Sequence, residues 1–226
     1  MTLLPYSEEQ ILARLRFENP WWISGCVEEY YTSMQRRLYF DLFMPLVTDT
    51  DVRRAVVLMG PRRVGKTVML YHAVQHLLEQ EINPLKVAFI SIETPIYNNI
   101  GLEELFDFCR KATMQDNPKG WYVFFDEIQY LKNWEVHLKS LVDSYPNTRF
   151  VVSGSAAAAL RLKSNESGAG RFTDFMLPPL TFHEFLHLKK LNRLITETKL
   201  DWEGGLTKFY TTNNIQELNK HFVDYI

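Results

Sequence analysis

Cysteine is scarce in this sequence of 226 residues, which contains only Cys26 and Cys109. Two cysteines are too few for a disulfide framework or a structural zinc site, and we expect both to be buried thiols. No apolar run approaches the roughly eighteen residues that a membrane-spanning helix requires, and the first segment carries Glu8, Glu9 and Arg14. The sequence therefore predicts a cytoplasmic protein with no membrane partner.

The chain also lacks an excess of charge of one sign, since 25 Lys and Arg stand against 27 Asp and Glu, for a net charge of −2. A balanced charge gives no global electrostatic reason to bind nucleic acid or an anionic membrane. Hydrophobic residues make up 46% and charged residues 23%, which excludes the disordered and collagen-like classes. The length predicts one main domain with a small appendage.

Short apolar runs alternate with helical patterns in the middle of the chain. The runs lie at residues 55–59, 86–92, 121–125 and 149–153, and the helical patterns between them at 66–80, 102–112 and 134–143. This alternation is typical of a parallel sheet with helices on both faces. We predict an N-terminal helical segment in residues 1–50, with helices at 7–17 and 27–46. An α/β core then occupies residues 51–190, with a fifth strand at 172–177, and a helical appendage occupies 191–226.

The segment after the first apolar run fits G-x-x-x-x-G-K-[ST], the Walker A P-loop, at each fixed position; it reads Gly60-Pro61-Arg62-Arg63-Val64-Gly65-Lys66-Thr67. It follows a predicted strand and opens a predicted helix that continues with Val68. Glycines let backbone N–H groups turn toward a phosphate, and the helix N-terminus adds its positive dipole end. We predict nucleotide contacts along residues 60–68, with Lys66 bridging the β- and γ-phosphates and Thr67 binding Mg²⁺.

An acidic pair, Asp126 and Glu127, comes directly after the third apolar run. Ligands bind at the carboxyl edge of open α/β sheets, so the pair is placed to act on a bound nucleotide. We predict that Asp126 holds Mg²⁺ and that Glu127 polarises the attacking water. The next run ends in Ser153-Gly154-Ser155, whose hydroxyls either orient the water or sense the γ-phosphate. Capping of a following helix is the alternative for these serines.

Arg171 ends a glycine-rich stretch at residues 166–171. A loop that ends in a guanidinium can deliver an arginine finger, including to a neighbouring subunit of a homo-oligomer, and an ordinary solvated arginine is the alternative. The choice of base rests on an absence: the single Asn-Lys pair, Asn219-Lys220, is followed by His221-Phe222, so the Asn-Lys-x-Asp pattern that reads guanine is missing. We therefore favour ATP over GTP.

A competing metal motif follows the predicted core. His183-Glu184-Phe185-Leu186-His187 fits H-E-x-x-H, the zinc peptidase signature in which two histidines bind the metal and the glutamate activates water. A catalytic zinc needs a third protein ligand, and the downstream carboxylates lie in a polar stretch without a clear second ligand helix. We keep a zinc peptidase as a remote alternative to a helix on the flank of the sheet.

Taken together, these residues resemble the AAA-type ATP-binding proteins of bacteria and archaea, in the archaeal-ATPase-like branch related to STAND signalling ATPases. The resemblance covers roughly residues 15–190 and includes, besides the P-loop, the acidic pair and the serines, four further segments: Asn19-Pro20-Trp21-Trp22, Arg36-Arg37, Gly170-Arg171 and residues 177–186. It implies a P-loop NTPase three-layer sandwich, with a five-stranded parallel sheet in the order 5-1-4-3-2. It also implies ATP with Mg²⁺, and Arg171 as a finger or γ-phosphate sensor.

Relatives of this kind usually continue into a larger, often nuclease-like C-terminal part. We therefore expect either a fragment, whose missing C-terminal part would contact a nucleic acid or a protein, or a member that has lost its effector. Two function hypotheses remain open. The first is an ATPase that couples Mg²⁺-dependent conversion of ATP to ADP to a conformational switch. The second is a nucleotide-gated binding or signalling module that hydrolyses little until a partner or oligomer forms. A P-loop phosphotransferase ranks third.

Overall fold

The computed structural model describes residues 6–155, 170–202 and 205–225. These residues divide into two compact units: 6–34 with 39–179, and 35–38 with 180–225. The first unit contains a five-stranded sheet and the second contains a two-stranded sheet.

The N-terminal segment is helical, as predicted, although its helices are short. Helix α1, Glu8–Glu18, begins at a capping box in which Ser7 Oγ accepts from the Gln10 N–H and the Gln10 side chain accepts from the Ser7 N–H. Three helices follow: α2 at Trp21–Ser24, α3 at Glu29–Thr32 and α4 at Phe40–Thr48. The prediction of one helix over residues 27–46 is wrong, because residues 35–38 belong to the second unit.

The sheet of the first unit consists of β1 at Ala55–Gly60, β2 at Val87–Ser91, β3 at Tyr122–Asp126, β4 at Arg149–Ser155 and β5 at Phe172–Met176. All neighbouring strands are parallel, and their order is β2-β3-β4-β1-β5. The predicted order 5-1-4-3-2 is therefore confirmed. The carboxyl ends of β1, β3 and β4 lie along one edge, which brings the segments that follow them together.

Helices cover both faces of this sheet. The main ones are α5 at Lys66–Glu79, α6 at Leu102–Thr113 and α7 at Trp134–Ser144. Within β1, Val57 and Met59 join a core with residues of α1, α6 and α7, whereas Val56 and Leu58 join a second core with residues of α4 and α5. Successive side chains of a strand point to opposite faces, so this alternation confirms the three-layer sandwich.

The outer edge of β2 is satisfied by side chains from the N-terminal helices. Asn19 Nδ2 donates to the Phe89 carbonyl at 2.8 Å, and Asn19 Oδ1 accepts from the Phe89 N–H at 2.6 Å. The indole N–H groups of Trp21 and Trp22 both donate to the Val87 carbonyl at 2.8 Å. An unpaired strand edge is a template for aggregation, and here these three residues occupy the Val87 carbonyl and both backbone groups of Phe89.

The second unit contains α8 at Phe182–Leu188, the antiparallel strands β6 at Thr196–Trp202 and β7 at Gly205–Thr211, and α9 at Ile215–Tyr225. The expected all-helical appendage is thus corrected to a hairpin followed by one helix. Phe182 of α8 packs against Phe222 and Tyr225 of α9. Because of this packing, α8 groups with the C-terminal segment, and the observed boundary lies at residues 179/180 instead of 190/191.

The two cysteines differ in environment. Cys109 is buried, as expected, but Cys26 is exposed, so the prediction of two buried thiols is wrong for Cys26. Cys26 follows Gly25, whose left-handed backbone ends α2, and it therefore lies outside the helical face that the sequence suggested. Within the described part of the chain, none of the helices combines the length and hydropathy of a membrane span.

Candidate nucleotide-binding site

The segment between β1 and α5 curls around a buried lysine. Lys66 Nζ donates to the carbonyls of Gly60 at 3.2 Å and Pro61 at 2.9 Å. Arg63 and Gly65 adopt left-handed backbone, with φ of 64° and 89°. This conformation is open to glycine at little cost, and it lets the chain reverse before α5 begins. The loop therefore wraps around the Lys66 ammonium, at the N-terminus of helix α5.

Gly60 has a second requirement that the motif alone does not reveal. A Cβ at this position would lie 2.5 Å from the Leu177 carbonyl oxygen, which belongs to the backbone that follows β5. The Leu177 N–H donates to the Met59 carbonyl at 2.7 Å, which holds this backbone in place. Gly60 is therefore needed for close packing of two chain segments as well as for the loop. The other residues of the loop are less constrained: Pro61, Arg62 and Arg63 are exposed, and Val64 and Val68 are half-buried.

The acidic pair meets the P-loop at the carboxyl edge of the sheet. Asp126 is 3% exposed at the end of β3, and its Oδ2 accepts from the Thr67 hydroxyl at 2.7 Å. Its other oxygen, Oδ1, accepts from the Ser153 hydroxyl. Burial raises the pKa of Asp126, and the hydrogen bonds from Ser153 and Thr67 counteract part of that effect. Thr67 and Asp126 are 59 residues apart in the chain, and the fold places their oxygens in contact.

Glu127 lies in a small hydrogen-bond network next to Asp126. Its backbone is left-handed, with φ 55°, and its N–H donates to Ser153 Oγ at 3.2 Å. Gln129 donates through Nε2 to the Glu127 carboxylate and accepts through Oε1 from the Ser155 N–H at 3.1 Å. Ser153 and Ser155 thus both contribute, Ser153 through its hydroxyl and Ser155 through its backbone. The helix-capping alternative for these serines concerns residues 156–160, which lie outside the described residues.

A cavity of about 350 Å³ opens beside this network. Its lining includes Thr67, Asp126 and Glu127, and also residues from the N-terminal helices and α5 that the sequence reading missed: Glu18, Trp21, Tyr31 and Tyr71. Tyr71 stacks on Tyr31 with a centroid separation of 3.8 Å. Burial raises the pKa of Tyr71. Neither tyrosine is predicted from the sequence to belong to the site, because their position beside Asp126 depends on tertiary packing.

Arg171 lies away from this site. It immediately precedes β5, and its carbonyl accepts from the N–H of Ala55, the first residue of β1. The P-loop follows the last residue of β1, about 15–20 Å further along the strand. Arg171 Nε instead donates to Asp143 at 2.5 Å. This placement does not support the implied role of Arg171 as a γ-phosphate sensor in its own chain, and its role in trans stays a prediction.

The H-E-x-x-H segment forms α8, but its glutamate is already paired. Glu184 is 1% exposed and accepts from Arg37 at 2.6 Å and 2.7 Å in a bidentate ion pair. His183 packs against the Tyr210 ring. Among the residues that the structure describes, no three His, Cys, Asp or Glu side chains are grouped as a metal ion would require. A glutamate locked by a guanidinium is poorly placed to activate water, so this geometry does not support the zinc hypothesis.

A model of the AAA domain family matches residues 52–186, more than half of the chain. The chain belongs to the AAA domain family. The matched range of this AAA domain contains the P-loop, the acidic pair and all five strands of the parallel sheet. Family and fold together make it a P-loop nucleotide-binding domain of the ATPase type.

Relatives of this AAA domain occur in bacteria and archaea. An uncharacterised protein of Haemophilus influenzae is 30% identical over 162 residues, which cover 70% of this chain and 40% of that protein. An uncharacterised protein of Methanocaldococcus jannaschii is 30% identical over 170 residues, which cover 75% of this chain and 34% of that protein. The chain spans less than half the length of these relatives.

A solved structure with a similar fold is the ORC1 protein of Aeropyrum pernix, determined in complex with DNA. The TM-score is 0.51 at 11% sequence identity, over 75% of this chain and 52% of that chain. A similarity at this level of identity shows the shared fold alone.

Proposed function

We propose that this AAA domain binds ATP with Mg²⁺ and hydrolyses it, and that hydrolysis drives a conformational switch. The observation that carries the proposal is the 2.7 Å contact between the Thr67 hydroxyl and the buried Asp126 carboxylate, directly beside the P-loop. Hydroxyl and carboxylate oxygens are the ligand types that Mg²⁺ takes when it also binds phosphates. A buried carboxylate without a cation is costly, so a divalent ion at this place would also stabilise Asp126.

The residues of the site divide the work between binding and chemistry. Lys66 would exchange its two backbone carbonyl partners for phosphate oxygens, which form stronger, charge-assisted hydrogen bonds. When bound, Mg²⁺ neutralises charge on the phosphate oxygens. Glu127 would accept or orient the proton of the attacking water, and Gln129 would hold its carboxylate in position. Ser153 ties the two acidic residues together, because its hydroxyl contacts the side chain of Asp126 and the backbone of Glu127.

Titration calorimetry with ATP and with GTP, with and without Mg²⁺, tests the binding step. We expect ATP to bind more tightly than GTP, and Mg²⁺ to increase the affinity. Lys66→Ala should weaken ATP binding by about 1.5–3 kcal/mol, because one charge-assisted interaction with the phosphates is lost. Lys111→Ala removes an exposed lysine of α6 and should leave the affinity unchanged. Equal ATP affinities for the Lys66 and Lys111 variants would remove the P-loop from its assigned role.

A second candidate function is a nucleotide-gated module that awaits a finger from another molecule. The position of Arg171 favours it, since this arginine cannot reach the P-loop of its own chain yet is half-exposed at 44%. We expect ATP turnover per molecule to increase as the protein concentration is raised through the range in which the chain associates. In Arg171→Ala this increase with concentration should disappear. Turnover of the associated protein should then be about a thousandfold lower than that of the parent, if the arginine acts as a finger in trans. Turnover that is independent of concentration, and equal in the variant, would leave the first candidate alone.

A further inference from the structure

A second cavity, of about 360 Å³, lies at the edge of the sheet opposite to the P-loop. Its lining contains residues 50–54 before β1, Gly120 before β3 and Arg149 at the start of β4. The strands are parallel, so their amino ends share this edge, and the cavity is one strand length, about 15–20 Å, from the nucleotide site. Nothing in the proposed ATPase chemistry uses this cavity.

The most unusual group in the cavity wall is a buried guanidinium. Arg149 is 6% exposed, and its Nη1 donates to the carbonyls of Arg54 at 2.6 Å and Val52 at 3.3 Å. Its Nη2 is buried and has no hydrogen-bond partner in the described part of the chain. No carboxylate of the described residues lies within ion-pair distance of Arg149. This holds for Asp49 and for Asp51 as well. Asp49 attracts this charge only from beyond ion-pair distance, so a closer anion would stabilise the buried guanidinium further.

Three further cations line the same cavity: Arg53, Arg54 and Lys119. Arg53 and Arg54 are exposed, and so is Lys119. Arg54 Nε donates to the Gly170 carbonyl, whereas the charged ends of Arg53 and Lys119 have no hydrogen-bond partner among the described residues. Among the described residues of the lining, Asp51 is the one acidic residue. The cavity therefore holds four cations against one carboxylate, in a chain whose overall charge is −2.

We infer that this cavity is a binding site for a phosphate oxyanion, separate from the nucleotide site. Guanidinium groups match phosphate geometry and form bidentate hydrogen bonds with it, and Lys119 would add a point charge. Arg53 and Lys119 supply the exposed contacts, and the buried guanidinium of Arg149 supplies a fixed positive charge in the wall beneath them. The proposal does not depend on ATP hydrolysis, because it rests on residues at the other end of the strands.

Burial lowers the pKa of Arg149, and the nearby Asp49 carboxylate raises it in part. The guanidinium nonetheless stays charged at neutral pH, because arginine is not deprotonated in proteins. The cavity therefore keeps its positive potential over the whole physiological range.

The test is a titration with inorganic phosphate, followed by the amide resonances of the full chain in two-dimensional NMR spectra. All variants carry Lys66→Ala, so that phosphate binding at the P-loop is weakened. We expect phosphate to shift the amides of Lys119, Gly120, Thr148 and Arg149. A double variant with Arg53→Ala and Lys119→Ala should bind phosphate at least about tenfold more weakly, since two charge-assisted contacts are removed. Lys132→Ala, at an exposed lysine of another cavity, is the matched control and should behave like the parent.

A second arm replaces phosphate by a short single-stranded oligonucleotide. Shifts of the same four amides with both probes support a site for any phosphate group, and shifts with the oligonucleotide alone assign the phosphate to a nucleic-acid backbone. Shifts confined to residues 60–67, or an equal loss of binding in Lys132→Ala, would overturn the inference. Arg149→Met risks unfolding the edge of the sheet. The test therefore uses substitutions of the exposed residues Arg53 and Lys119. ATP binding is measured separately in the chain with Lys66 intact, and its absence there, with the phosphate shifts retained, would count against the proposed function alone.

Discussion

Glu127→Gln is expected to reduce ATP turnover by about 10²- to 10⁴-fold while ATP stays bound, because the amide cannot accept a proton from the attacking water. The exchange is nearly isosteric, and the backbone contact from the Glu127 N–H to Ser153 does not involve the side chain. Asp126, which would hold the metal, is unchanged. Steady-state release of phosphate gives the turnover, and calorimetry with ATP and Mg²⁺ gives the affinity of the same preparation.

The matched control is Glu104→Gln, which removes a carboxylate from the exposed face of α6. It should leave both turnover and affinity unchanged. If Glu127→Gln turns ATP over at the rate of the parent, Glu127 has no role in the chemistry. If it loses ATP binding as well, the side chain contributes to the metal or phosphate site instead, and the division of labour between Asp126 and Glu127 is incorrect.

The parallel α/β core and the position of the P-loop follow from local signals, whereas the order of the strands is what the family resemblance implies. The P-loop joins a buried strand to a helix within one continuous segment, and its chemistry requires only backbone conformations that glycine permits. The acidic pair was predictable for a similar reason, since a strand that ends in Asp126 places it at the carboxyl edge. That Thr67 contacts Asp126 depends on strand register, which the sequence does not specify.

Arg171 and the P-loop lie at opposite edges of the sheet. It precedes a strand, whereas the P-loop and the acidic pair follow strands. In a parallel sheet, residues before and after the strands lie at opposite edges, so the fold that the sequence predicted already separates Arg171 from the P-loop of its own chain. The family resemblance suggested a role that the predicted topology did not allow within one subunit.

The predicted helical appendage at residues 191–226 does not include the hairpin β6–β7. Threonines recur every second residue at 196 and 198, and aromatic residues appear at 202, 209 and 210, on either side of Gly204-Gly205. Such runs around a diglycine are a hairpin signal. Polar composition dominated the interpretation of this segment. The strands pair from Thr196 with Thr211 to Trp202 with Gly205.

The family resemblance includes the segment Asn19-Pro20-Trp21-Trp22 but does not explain what these residues do. The structure shows their contacts. The segment contacts the backbone of the edge strand β2 through Asn19, Trp21 and Trp22. An asparagine that both donates to and accepts from one residue imitates the pairing of a neighbouring strand. Neither hydrophobic periodicity nor composition marks this function, because the partner residues are 65–70 positions away in the chain.

Asn19→Ala is expected to destabilise the unit that holds the parallel sheet by about 2–5 kcal/mol. Asn19 is fully buried, and its side chain makes three hydrogen bonds to backbone: one to Leu15 and two with Phe89. Alanine leaves the Phe89 N–H and carbonyl without partners in a buried place, and each such group costs about 1–3 kcal/mol. Since domains are stable by about 5–15 kcal/mol, a loss of this size lowers the denaturation midpoint strongly.

Urea denaturation followed by tryptophan fluorescence measures this loss, because Trp21 and Trp22 follow Asn19 closely in the chain and donate to the same strand. Hydrogen exchange at the Phe89 amide gives a residue-specific readout: its protection should fall more than that of Phe124, which lies in the interior strand β3. Asn98→Ala, at an exposed asparagine, is the matched control and should change stability by less than about 0.5 kcal/mol. Similar midpoints for the two variants, with Phe89 still protected, would mean that β2 keeps its edge without Asn19 and that the tryptophans alone hold the N-terminal helices on the sheet.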